Sequence, residues 1–114
     1  MSTGAKSELN AEYFQAINPG TSWMLAFTNA SQVIGPFGAD TTLISIFPEQ
    51  DCWVLAGDAS AVAVPLSTGQ NGRSKFCPGG IQDFIGVKPG QYLAVIRDTV
   101  SGNVHVCECA NAAQ

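Results

Sequence analysis

Charge is what this chain has least of. Of its 114 residues only 12% are Asp, Glu, Lys or Arg, about half the usual share of roughly 25%. Five cations stand against nine acids, for a formal net charge of −4. Lys6, Arg73, Lys75, Lys88 and Arg97 form no run. Nucleic-acid backbones are held by clustered cations, so no nucleic-acid partner is expected. No stretch reaches the roughly 18 consecutive apolar residues of a membrane-spanning helix, and no membrane partner is expected. The first residues, Met-Ser-Thr-Gly-Ala-Lys-Ser-Glu, contain no apolar core of a signal peptide. That predicts a reducing compartment with free thiols. Phosphate-loop chemistry is missing too: Gly79-Gly80 is followed by neither Lys-Ser/Thr nor a helical pattern.

Apolar residues are plentiful at 46%, which excludes a disordered chain. The length suits one domain. A chain this size buries roughly 65% of its unfolded surface, enough for a core without staples. A surface so poor in charge takes its polarity from Ser, Thr, Asn, Gln and the backbone. Two readings follow: much of that surface is covered by partners, or the chain is a neutral domain rich in Ala and Gly.

Residues 1–20 differ from the rest. They are polar, with Tyr13, Phe14 and Ile17 as isolated large apolar groups. Ser7 can cap two turns of helix running to Ile17, and Asn18-Pro19-Gly20 breaks anything regular. This is either a floppy end or an arm, and the expectation is an extended or partly helical arm that orders on a neighbouring subunit through Tyr13, Phe14 and Ile17. From residue 21 to 110 the pattern is β throughout, and 111–114 is a polar tail. Candidate strands are Trp23–Thr28, Ser31–Ile34, Thr41–Phe47, Cys52–Gly57, Arg73–Cys77, Asp83–Val87, Tyr92–Arg97 and Asn103–Cys109. Ala61–Leu66 is a weaker one, and Pro48 is expected to end the third. Lys88-Pro89-Gly90-Gln91 suits a type II turn, with Gly accepting the positive φ. Residues 98–102 read as a hairpin loop. About eight short strands, with turn signals about every 8 to 12 residues, predict an all-β antiparallel sandwich. In the last strand Val104 and Val106 share one face, opposite His105, Cys107 and Cys109. Tyr92–Arg97 is apolar on both faces, so it lies centrally or at an interface.

Four cysteines, Cys52, Cys77, Cys107 and Cys109, allow two disulfides in three pairings if the chain is oxidised. Cys107 and Cys109 point the same way about 7 Å apart, a poor geometry for bonding to each other. His105-x-Cys107-x-Cys109 is three soft ligands in a row, but a straight strand splays them too far for one tetrahedral ion. Buried or interface thiols are the expected role, and no metal or other cofactor is called for. The one histidine sits mid-strand, away from the loops and strand ends where catalytic groups gather. Glu49 with Asp51, or Asp58 with Asp83, could form a carboxylate pair. Acids flanking a turn are more often solvated or bonded to backbone amides. No catalytic residue is assigned.

One stretch carries more than class information. It runs from Asp51-Cys52-Trp53-Val54-Leu55-Ala56-Gly57 through Phe76-Cys77-Pro78-Gly79-Gly80 to Asp83-Phe84-Ile85-Gly86-Val87-Lys88-Pro89-Gly90-Gln91-Tyr92-Leu93-Ala94-Val95-Ile96. It closes with Ser101-Gly102-Asn103-Val104-His105-Val106-Cys107-Glu108. This resembles small capsid decoration, or cement, proteins encoded among the head genes of tailed bacteriophages. The resemblance covers residues 51–108 and consists of turn chemistry and core spacing. It implies a jelly-roll-like sandwich with no enzymatic activity. The implied role is to bind the outside of the capsid and bridge major capsid protein subunits as a small homo-oligomer, a dimer or trimer. The implied place is the virion exterior, after assembly in the host cytoplasm. Cys107 and Cys109 depart from the pattern. Rival readings are a tail- or fibre-associated adaptor or receptor-binding module, a small metal-dependent enzyme or metal-binding module using His105, Cys107 and Cys109, and a secreted, disulfide-bonded domain.

Overall fold

The computed structural model describes residues 19–109. Every regular element among them is a strand: β1 Pro19–Phe27, β2 Gln32–Ile34, β3 Leu43–Pro48, β4 Cys52–Gly57, β5 Lys75–Cys77, β6 Asp83–Gly86, β7 Tyr92–Arg97 and β8 Gly102–Cys109. They form two four-stranded sheets. Sheet I has the order β1-β8-β3-β6, and sheet II the order β2-β7-β4-β5. All neighbours are antiparallel. Every connection except β4 to β5 passes from one sheet to the other.

Side-chain alternation builds the core. Phe27, Ile44, Ile46, Val104 and Val106 come from sheet I, and Ile34, Cys52, Val54, Cys77, Leu93 and Val95 from sheet II. Phe37 and Val87 close the cluster from the connections. Each fully buried Val, Leu, Ile or Phe contributes roughly 1.5–3 kcal/mol. The all-β, two-sheet expectation holds, and so does the facing of the last strand: Val104 and Val106 point inward while His105 is exposed. β7 lies centrally between β2 and β4, with Leu93, Ala94 and Val95 all fully buried. The Lys88–Gln91 turn is also as expected. Gly90 has φ +79°, and Gln91 N donates to Lys88 O at 3.1 Å.

Several expectations need correction. Residues 61–66 are not a strand. The amide of Ala63 donates to Ser31 Oγ and that of Val64 to Ser74 Oγ, each at 2.9 Å. Serine hydroxyls thus satisfy backbone groups that a strand would give to a ladder. Residues 98–101 are not a hairpin loop, because β7 and β8 belong to different sheets. Their connection turns the corner of the sandwich. Pro19 and Gly20 do not interrupt β1; they lie within it, and the register with β8 shifts between Pro19 and Ser22. A proline is tolerated there because β1 is an edge strand, and an irregularity absorbs its missing donor. Pro48 ends β3 as expected, being its last residue. The N-terminal arm with Tyr13, Phe14 and Ile17, and the C-terminal tail, lie outside the described residues.

Candidate functional site

The two outer faces of the sandwich differ. Across sheet II, the connection 58–74 is anchored beside both edge strands. Ser31 directly precedes β2 and Ser74 directly precedes β5, and their hydroxyls accept from the consecutive amides of Ala63 and Val64. Ala63 is buried, and Ala94, which faces outward from the middle of that sheet, is fully buried.

On the outer face of sheet I, Met24, His105 and Phe47 are exposed, whereas Ser45 and Cys109 are buried. The register sets two cross-strand rows on that face. Ser22, Cys107 and Ser45 lie side by side on β1, β8 and β3, and Met24, His105 and Phe47 form the next row. Small side chains make a floor beside a wall of large ones. The result is an open groove of about 350 Å³ lined by both rows, with Gln82 at its margin. The wall is apolar and exposed: Met24 is 65% accessible and Phe47 41%. The Phe47 and His105 rings are 6.4 Å apart. His105 Nε2 lies 2.8 Å from Glu49 Oε2 at the solvent edge of the same row. The His105 ring, and then the Asn103 amide, hold the Glu49 carboxyl below the usual range.

The sequence-level candidates separate in space. Glu49 pairs with His105, whereas Asp51 Oδ1 accepts from Gly79 N at 2.7 Å. Asp58 Oδ1 accepts from the amide and hydroxyl of Ser60, and Asp83 meets Lys75 at 3.0 Å, linking β6 to β5. Each of these acids therefore has its own local partner rather than a second acid. His105 and Cys107 share the outer face as expected. No group of three or more His, Cys, Asp or Glu converges as a metal site among the described residues.

Two features were not anticipated from the sequence. Glu108 is buried, 5% exposed, with three donors around it. Thr41 Oγ1 donates to Oε1 at 2.6 Å, Gly38 N to Oε1 at 2.8 Å and Trp23 Nε1 to Oε2 at 2.9 Å. Burial pushes its carboxyl up, but Thr41, Gly38 and Trp23 together outweigh that and hold it below the usual range. The alternation Val104-x-Val106-x-Glu108 carries the signal, since it puts an acid on the core face. The second feature is the pairing of Cys52 with Cys77 across β4 and β5. No local pattern announces that pair, because register joins residues 25 positions apart in the chain. Comparison with known proteins finds no match: no family model, no curated protein and no solved structure corresponds to this chain.

Proposed function

We propose that this chain is a jelly-roll sandwich that works by docking, with the outer face of sheet I laid against the subunits of a larger protein assembly. The observation that carries the reading is the outer row of sheet I, where Met24 and Phe47 stand exposed beside a groove. Exposed apolar groups clustered on one sheet face mark an interaction surface more often than isolated ones do. The strand orders 1-8-3-6 and 2-7-4-5, with nearly every connection changing sheets, support the jelly-roll assignment.

The resemblance over residues 51–108 supports a tailed-phage capsid as that assembly. The chain binds the exterior of a tailed-phage capsid as a homodimer or homotrimer and bridges major capsid protein subunits without catalysing a reaction. Each bound copy stabilises the assembled state by mass action, and contacts repeated over a shell add as avidity. The test mixes purified protein with isolated empty phage heads, sediments them and counts bound chains. Saturation at hundreds of copies per head, with heads then more resistant to heat, is the expected result. Met24→Asp with Phe47→Asp should abolish sedimentation with heads while the far-UV spectrum stays unchanged. Absence of binding by the unmodified protein would overturn the capsid reading and favour the tail or fibre adaptor.

A further inference from the structure

The molecule holds a second feature of chemical interest, away from the docking face. Cys52 on β4 and Cys77 on β5 are directly opposite each other in the antiparallel register. Opposed residues of such a pair point to the same side of the sheet, with Cα atoms about 4.5–5.5 Å apart. Disulfides span Cα separations of about 4.4–6.8 Å. Both side chains are fully buried in the core cluster, and both thiols are free. Their place in the chain matters as well. They bracket the connection 58–74, the one long irregular segment among the described residues and the one connection that stays within a sheet. β5 is a three-residue edge strand. Its other visible ties are the Lys75–Asp83 ion pair and the packing of Phe76 on Trp53, with ring centroids 5.2 Å apart.

We propose that Cys52 and Cys77 are an oxidation site, converted by peroxide into a cross-strand disulfide that locks β5 and the 58–74 connection onto sheet II. The two thiols are not equivalent. Cys77 lies on the short edge strand two residues from Lys75, and the neighbouring Cys52, with the Lys75 ammonium, favours its thiolate against burial. The adjoining Cys77 sulfur, and then burial in the core, push the Cys52 thiol up. Cys77 is therefore the attacking group, reached when the short edge strand opens locally. Its thiolate attacks one oxygen of hydrogen peroxide. The O–O bond breaks, hydroxide leaves and becomes water with the proton that Cys77 gave up, and Cys77 is a sulfenic acid. The Cys52 sulfur then displaces that hydroxyl from Cys77 sulfur. The S–S bond forms, and the departing hydroxide takes the Cys52 proton as a second water. Two thiols are oxidised and one peroxide is reduced.

The docking proposal does not enter this inference, and either can fail alone. The experiment treats the full-length, reduced protein with stoichiometric hydrogen peroxide, blocks remaining thiols with maleimide and digests with trypsin. Lys and Arg positions place Cys52, Cys77, and Cys107 with Cys109, on three separate peptides. The expected product is a monomer lighter by two hydrogen atoms, with the Cys52 and Cys77 peptides joined and Cys107 and Cys109 blocked. Its urea midpoint should lie above that of the reduced protein, and the shift should vanish in Cys52→Ser. Because that variant carries a hydroxyl in the core, Cys52→Ala is measured beside it to separate a folding defect from a lost bond. Oxidation confined to Cys107 and Cys109, or a Cys52–Cys77 link that forms only after unfolding in urea, would overturn the proposal.

Discussion

The indole N–H of Trp23 donates to Glu108 Oε2 at 2.9 Å, joining residues 85 positions apart in the sequence. The same carboxylate holds Gly38 and Thr41 in the connection between β2 and β3. One buried side chain thus fastens the edge strand β1, the central strand β8 and the crossover between the sheets. The arrangement satisfies a charge on the core face with three donors rather than with a cation. Hydrogen bonds to charged groups are the stronger kind.

Glu108→Gln keeps the shape but replaces one acceptor oxygen with a donor NH2. At least one of the three donors then faces another donor in a buried site. The expected loss is about 2 kcal/mol, the range for a hydrogen bond to a charged group. Urea denaturation of the two proteins side by side measures it. A change within experimental error would show that the carboxylate does not hold β1 and the crossover.

The same group makes stability depend on acid. Thr41, Gly38 and Trp23 hold the folded-state carboxyl below its ordinary value of 4.5 despite its burial. Stabilisation from this group is therefore complete above that value and is lost as pH falls through the lower, folded value. Stability measured downward from pH 5 should decline more steeply in the unmodified protein than in Glu108→Gln. Parallel curves would contradict the assignment.

Gly79 occupies a position where backbone meets backbone. A Cβ there would lie 2.7 Å from Gln50 Cα and 2.8 Å from its carbonyl carbon. The turn is pinned at that distance because Gly79 N donates to Asp51 Oδ1 and Gly80 N to Pro48 O, both at 2.7 Å. Gly79→Ala must push two backbones apart, at a cost of about 1–3 kcal/mol. A fall in thermal midpoint with unchanged far-UV spectrum is the expected outcome. Gly80→Ala, where φ is +78° but no atom lies within 4 Å, separates steric crowding from backbone strain.

Deleting residues 2–17 tests the arm. All core residues of the described fold lie at or after Phe27, so the truncated chain should retain its urea midpoint. Binding to phage heads should weaken if Tyr13, Phe14 and Ile17 order on a neighbouring subunit. Unchanged occupancy would remove the arm from the docking surface and leave the outer face of sheet I as its whole extent.

Alternation of apolar and polar residues, with turn residues between, determined the all-β class, the positions of most strands and the inward facing of Val104 and Val106. Those are local properties, because side-chain direction along a strand follows from the backbone itself. Residues 61–66 show where local reading stops. They alternate like a strand, yet the hydroxyls of Ser31 and Ser74 take their amides. Pairing was equally out of reach. The loop at 98–101 has the composition of a hairpin but joins two different sheets, because where the chain goes after a turn depends on which edge remains free. The rows Ser22–Cys107–Ser45 and Met24–His105–Phe47, the three donors around Glu108 and the meeting of Cys52 with Cys77 are matters of register between distant strands. Sequence determined which face each residue would present. Tertiary structure alone decided what stood opposite it, since register follows from burying two sheets in one core.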